Sequence, residues 1–359
     1  MDLAGRDDEV HTSLVLALVE ERLARFFDVE AARWGRVHPE LAGLVGTLRQ
    51  FVEGGGKRLR ASFCYLGWWA ALPAGCEATS ELDPVIDVAA AIELLHAFAL
   101  IHDDVMDGSD LRRGRPSVHR QMEADHVASG WRGEGRRFSE GMAVLLGDVA
   151  FSWADCLLAP HRPLVGAVWD ELRVELTMGQ YLDMVGAAQG ASDARSARLV
   201  ATLKSGHYSV MRPLQLGAAL AGSLEGLGAA YAAFGAPIGE AFQLRDDLLG
   251  VYGEPEVTGK PAGEDLREGK ATLLVAIATA SAPASAAPLL ARLGDPDLSD
   301  DDVARFRHLF SSCGAKAAVE AAISTRVAVG LHALGRAAIR PDGRRALADL
   351  ARDAAWRVC

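Results

Sequence analysis

The stretch that most restricts the fold of this chain runs from residue 84 to residue 107. Residues 84–102 are almost wholly apolar apart from Asp87, Glu93 and the histidines, the pattern of a helix buried on most sides. It then ends in Asp103, Asp104 and Asp107. Helix positions four apart share a face, so Asp103 and Asp107 point the same way with Asp104 beside them. Three carboxylates on one turn repel each other unless something positive sits among them. A buried helix with such an end is sensible only where the aspartates face a polar cavity.

Hard oxygen donors of this kind suit Mg²⁺, which keeps some waters and is often completed by substrate phosphates. No EF-hand ligand series follows, which disfavours a calcium cage. The other reading is a solvated acidic helix end followed by a solvated basic turn, because Gly108 leads into Arg112, Arg113 and Arg115. His96 lies seven residues before Asp103, about two turns, and shares its face. It reads as a ligand contact or as a core histidine, while His102 reads as structural.

Other segments repeat the theme. Helical patterns at 10–33 and 40–52 precede Gly54, Gly55 and Gly56, which stop the second. Lys57 and Arg60 share a face if a helix restarts there, and helix N-termini favour anions. The stretch is either a diphosphate cradle or a glycine cap with surface cations; Walker spacing is missing. An apolar helix is expected at 61–72 and a turn at 73–83. Residues 128–138 read as an exposed basic loop, and helices follow at 139–158 and 163–186. The latter carries Gln180 and Asp183, a hydrogen-bonded pair or a support for a metal site. Residues 195–221 carry Lys204, Ser205 and His207, with a break expected at Arg212-Pro213. A long helix at 228–252 ends with Gln243, Asp246, Asp247 and Gly250, spaced by three and four, a second acidic helix end. The glycine- and proline-containing loop 253–270, with Lys260 and Lys270 around Asp265, reads as a lid over an anion or as a plain connection. The pattern beyond 271 is helical, and no period-2 strand pattern stands out.

A net charge of −11 excludes a general nucleic-acid binder, which needs a basic footprint. The cations cluster locally, which suits an anionic small molecule. Five cysteines without a CxxC pair fit free thiols in a reducing compartment, and the acidic N-terminus lacks the order of a signal peptide. With no apolar run near 18 residues, no transmembrane segment is expected, and the location expected is cytoplasmic.

GGGKRLR, HDDVMD with LRRGRP, GQYLD, KS at 204–205, FQLRDD and TGK followed by GK occur in that order over about 50–280. This ordered set resembles the trans-isoprenyl diphosphate synthases, or polyprenyl synthetases. The resemblance implies an all-α fold, one helical domain over 1–359 around a deep central cavity, and normally a homodimer. It also implies roles. Asp103, Asp104 and Asp107 resemble the first aspartate-rich motif and Asp246 and Asp247 the second, together holding Mg²⁺, three ions with substrate bound and Mn²⁺ as an alternative, on an allylic diphosphate. Lys57, Arg60, His96 and Arg113 match the pocket for isopentenyl diphosphate. Arg112, Lys204, Lys260 and Lys270 match contacts to the allylic diphosphate, and Ser205 and Gln243 line the reacting carbons. Gly250 departs from the pattern, since the family often has a third aspartate there. The absence of a Ser/His/Asp or Cys/His constellation fits a reaction that needs no side-chain nucleophile.

In this family the product grows along the helix before the first aspartates. Phe98 stands five residues before Asp103, about 7.5 Å along a helix, and Ala99 follows it. One aromatic at that place resembles geranylgeranyl synthases, whereas farnesyl synthases of the related kind have two. The expected product is therefore geranylgeranyl diphosphate (C20), with farnesyl diphosphate (C15) as runner-up. A class I terpene cyclase has no need of a second diphosphate pocket, so Lys57, Arg60 and LRRGRP argue against it. A non-catalytic partner subunit usually lacks one acidic motif.

Overall fold

The computed structural model describes residues 3–73, 82–190, 193–254 and 263–356, with side chains from Thr12 onward. It is almost wholly helical, as expected. The helices are α1 (Leu3–Gly35), α2 (Pro39–Glu53), α3 (Leu59–Ala71), α4 (Leu82–Asp107), α5 (Val118–Ala128), α6 (Gly135–Leu158), α7 (Arg162–Gln189) and α8 (Ala194–Val200). A π-helix at Ala201–Met211 leads into α9 (Arg212–Leu220) and α10 (Leu224–Tyr252). After these come α11 (Glu264–Arg267), α12 (Leu273–Ser281), α13 (Ala287–Leu290), α14 (Asp300–Ser312), α15 (Ala315–Gly335) and α16 (Pro341–Trp356).

The chain forms two compact units. The first holds residues 1–166 with the short segments 216–224 and 339–346. Its centre is α4, whose residues from Val85 to Leu95 are buried on nearly every side, apart from half-buried Asp87. Alanines at 89–91 let neighbouring helices approach closely, and Leu94, Phe63, Leu48 and Phe27 fill the interior at no more than 1% exposure. Burying such a side chain stabilises the fold by about 1.5–3 kcal/mol. Gly217 lies against the α3 backbone at Cys64, where a side chain would overlap it. Arg340 spreads its guanidinium 3.7 Å from the centre of the Trp69 ring, and its amide donates to the Ala70 carbonyl. Asp87, one of the few charges on α4, takes Arg22 at 2.6 Å and His161 at 3.0 Å.

The second unit holds 167–215, 225–338 and 347–359, with Tyr231, Phe234, Phe306 and Phe310 fully buried. Its π-helix is wedged between two glycine contacts. Gly179 of α7 touches the backbone at Lys204, and Gly239 of α10 touches that at Gly206; a Cβ at either would overlap it. The widened helix is thus held by close backbone packing, and π segments of this kind often sit at functional sites. The break expected at Arg212-Pro213 falls where the π-helix gives way to α9.

Two expectations need correction. Leu111–Arg112 and Arg115–Pro116 form a small antiparallel hairpin where only a loop was expected. Its turn residues Arg113 and Gly114 both have positive φ (55° and 73°), the conformation of a tight hairpin turn. Helix α4, the stretch Gly135–Gln189 and α15 are, by length and composition, apolar enough to cross a membrane, contrary to the sequence expectation. For α4 the apolar character matches burial within the protein, which covers 67% of its most apolar window. Cys64, Cys156 and Cys313 are free thiols, and burial pushes the Cys64 thiol up to about 12.

Candidate active site

The first unit carries one half of the expected chemistry. Helix α4 runs to Asp107 and is stopped by Gly108 at φ 68°, with the Ser109 amide returning to the Asp104 carbonyl, a glycine cap. The hairpin that follows turns Arg112 back onto the aspartates. Its Nε donates to Asp104 Oδ1 at 2.9 Å, its Nη2 contacts the same oxygen, and Asp103 Oδ2 lies 3.6 Å away. The positive group that three clustered carboxylates require is therefore Arg112. Asp104 is fully buried, while Asp103 and Asp107 are half-buried.

About two turns earlier on α4 the character inverts from anion to cation. Arg60 Nη1 donates to His96 Nε2 at 3.3 Å. Burial, then the charges of Arg60, Arg113, Arg112 and Arg58, hold the His96 pKa well below the usual 6.5, so its ring is neutral at pH 7. A neutral imidazole beside guanidinium groups accepts from one of them through one ring nitrogen and donates through the other. Arg113, at positive φ, donates to the Gly55 carbonyl and lies against Gly56, where an added Cβ would stand 2.9 Å from its Nη2. Burial, foremost, and neighbouring arginines lower the pKa of Arg113, with Glu93 opposing.

Arg58 was not singled out in the sequence. It sits at positive φ as the residue before α3, buried, with Nη1 on Glu93 at 2.8 Å and Nη2 on the Val52 carbonyl at 2.7 Å. This ion pair ties the 54–58 loop to α4. The signal for it was Glu93, a charge in the middle of an apolar helix, which needs a partner. Helix α3 begins at Leu59, so Lys57 lies on the exposed loop before it and not on its face.

The second unit carries the other half. Gln243 Nε2 donates to Asp247 Oδ1 at 2.7 Å, and Asp246 is half-buried beside it. Asp247 is pushed up to about 7, first by burial and further by the negative charges of Asp265 and Asp183, with the Gln243 hydrogen bond and Lys270 opposing. Asp265 explains Gly250. Its carboxylate lies against the Gly250 backbone, in the place that any side chain there would occupy. Lys270 Nζ stands 2.7 Å from Glu268 and 3.4 Å from Asp265. Lys204, on the π-helix, donates to Asp183 at 2.6 Å, which gives the buried-helix carboxylate at 183 its partner. Ser205 is half-buried on the same π-helix. Lys260 lies outside the described residues.

Each cluster taken by itself offers hard carboxylate oxygens, half-buried or buried, of the kind a divalent cation takes. Among the described residues no group of three or more His, Cys, Asp or Glu side chains is placed to hold a metal ion by itself. Such donors suit an ion that keeps waters and takes phosphate oxygens.

Residues 43–310 match the polyprenyl synthetase family. The chain belongs to that family. It is 33% identical over 281 residues to a geranylfarnesyl diphosphate synthase of Aeropyrum pernix, covering 76% of this chain and 80% of that protein. A (2E,6E)-farnesyl diphosphate synthase of Mycobacterium bovis is 33% identical over 305 residues, 82% of this chain and 78% of the relative. The crystal structure of a geranylgeranyl pyrophosphate synthase from Corynebacterium glutamicum, complexed with isoprenyl diphosphate and magnesium, superposes with a TM-score of 0.90 at 36% identity. That match covers 99% of this chain and 100% of the other. As a polyprenyl synthetase, the chain is a trans-prenyltransferase that makes prenyl diphosphates.

Proposed function

We propose that this synthase condenses isopentenyl diphosphate with allylic diphosphates of C5 to C15 and releases geranylgeranyl diphosphate (C20). The observation that carries the two-substrate reading is the pairing of opposite chemistries on α4. Arg60, Arg113 and a neutral His96 form a cation-rich pocket about two turns before an acidic helix end. Cations without metal suit one diphosphate, and carboxylates that bind Mg²⁺ suit the other.

Asp103, Asp104, Asp107, Asp246 and Asp247 would hold Mg²⁺, three ions by analogy with the family and Mn²⁺ as an alternative. Bound there, Mg²⁺ neutralises the charge that builds on the allylic diphosphate as it leaves. Arg60, Arg113, His96 and Lys57 orient isopentenyl diphosphate. Arg112, Lys204, Lys260 and Lys270 add positive charge around the leaving group, as preorganised charge does in such sites. The allylic C–O bond breaks, the double bond of isopentenyl diphosphate attacks the allylic carbon, and the released diphosphate takes the proton. Ser205 and Gln243 lie toward the reacting carbons, and apolar walls keep water from the cation. Phe98, half-buried on α4 with Ala99 after it, forms the floor that sets C20.

The assembly we infer is a homodimer. It is supported by an exposed apolar stripe on α7, with Val174, Met178 and Tyr181 at 54%, 56% and 65% exposure, a face that a second copy would cover. A cytosolic location is supported by the free thiols.

The test is product analysis. Purified protein is incubated with Mg²⁺, isopentenyl diphosphate and C5, C10 or C15 allylic diphosphates, and the products are sized after dephosphorylation. A C20 alcohol is expected. A C15 alcohol overturns the chain-length reading and keeps the synthase. A hydrocarbon from a single diphosphate means a cyclase, and no product means a partner subunit.

A further inference from the structure

We propose that Phe151 of α6 is a second product-length residue, closing the floor together with Phe98. The inference rests on the prenyl-transfer reading and extends the floor from one helix to two.

Helix α6 packs its small residues Ala143, Gly147, Ala150 and Ala154 inward, all buried. Phe151 stands at the margin of that packed face and is only half-buried, as is Phe98 on α4. The two rings lie 4.8 Å apart between centroids at 56°. Phe98 also meets the His102 ring, 4.6 Å away at 60°. His102 is itself fixed. Its Nε2 lies 3.0 Å from the Val144 carbonyl, and its ring rests on Gly147, where any side chain would overlap it. The Phe98 ring is thus held from both helices.

A floor of one phenylalanine can swing aside when a growing chain pushes on it, because a half-buried ring has room to change rotamer. A ring in contact with both His102 and Phe151 has that freedom reduced, and Phe151 presents a second phenyl group beside it. Both rings keep an open side, unlike Ala150 and Ala154, which are buried outright. An open aromatic side on an apolar helix pair is a surface against which a prenyl chain can end. His102 is a positioning residue here, and Gly147 makes its position available.

The experiment sizes the products of the full-length protein and of Phe98→Ala, Phe151→Ala, Phe151→Leu and the double alanine variant, with melting temperatures in parallel. Phe151→Ala is expected to move a major share of product at least one C5 unit beyond the wild-type length. The double variant should run longer than either single one. Phe151→Leu, which keeps apolar bulk and trims the ring, should move a smaller share the same way, and it carries the test if the alanine variant does not fold. A wild-type product distribution from folded Phe151→Ala, or from Phe151→Leu where the alanine variant fails, overturns the proposal and leaves the synthase reading intact. A wild-type protein that elongates nothing overturns the synthase reading and this inference with it.

Discussion

The two acidic helix ends look alike in sequence and are electrostatically opposite. At the end of α4, Arg112 is swung back by a hairpin onto Asp103 and Asp104, so the cluster already contains its cation. At the end of α10, Asp247 is capped by the neutral amide of Gln243, and Asp265 adds a further negative charge beside it. In the first cluster Asp104 has a guanidinium in direct contact; in the second Asp247 is raised to about 7, with Lys270, which lies against Asp265, opposing the rise only in part. Similar spacing of aspartates therefore says little about their charge state. What decides it is the neighbour supplied from further along the chain, an arginine in one case and an aspartate in the other.

The comparison breaks most sharply at Asp104. Asp104→Ala leaves the Arg112 guanidinium without the carboxylate that holds it, and removes a carboxylate proposed to hold metal. We expect a loss of kcat on the order of 10²–10³-fold or more, together with about 3–5 kcal/mol of destabilisation from the broken buried pair. Steady-state kinetics and urea unfolding read the two effects separately. A variant that keeps near wild-type kcat would remove Asp104 from the machinery.

Next in size is Gly250. Restoring an aspartate there, Gly250→Asp, drives the new side chain into the Asp265 carboxylate. The expected cost is about 1–3 kcal/mol, as for overpacking generally, with charge repulsion added. Combining it with Asp265→Gly should recover most of that loss. If the single variant melts like the wild type, the two positions do not compete for one space.

Much of this was legible in the chain. The long helices announce themselves through apolar spacing and glycine stops, and the two acidic ends were visible as DD pairs. What stayed hidden depends on contacts between distant residues or on unusual backbone. The 111–116 hairpin turns on Arg113 at positive φ, which no propensity favours in a residue with a Cβ. The π-helix is imposed by Gly179 and Gly239 packing on its backbone, and residues 201–211 read alone as ordinary helix. Arg58 carried no signal of its own, and only Glu93, 35 residues later, makes it a buried cation. Gly250 looked like a missing ligand. Its partner Asp265 is 15 residues on.

The raised Asp247 of α10 gives a pH prediction. Asp247 binds its proton more tightly when folded (about 7) than at its ordinary 3.8. The folded state thus holds more protons than the unfolded state between these values, and stability falls as pH rises through that window. The penalty is absent below about pH 4 and complete above about pH 7. Asp247→Asn removes it, so metal-free protein should melt higher than wild type at pH 8, by the equivalent of about 1–4 kcal/mol, with the difference closing toward pH 4. A difference that does not change with pH would mean that Asp247 is charged at little cost.

The smallest effect is expected where the first unit's cation pocket meets solvent. Arg113 and Arg60 are fixed, one by the Gly55 carbonyl and the other by His96, whereas Lys57 is exposed on the loop before α3. An exposed ammonium adds little through screened attraction, on the order of 1 kcal/mol or less, because water and salt weaken it. Lys57→Ala should therefore raise the KM for isopentenyl diphosphate by a few-fold at low salt, leave kcat within about two-fold, and leave the melting temperature unchanged. Raising the ionic strength should shrink the difference in KM, since screening already removes what the lysine contributed. Arg113 is exposed as a residue too, but its guanidinium is held on the Gly55 carbonyl and partly desolvated, so the effect of Arg113→Ala should persist at high salt. If the Lys57 effect also survives high salt, that lysine grips the diphosphate at close range when substrate is bound, and the loop before α3 closes over it.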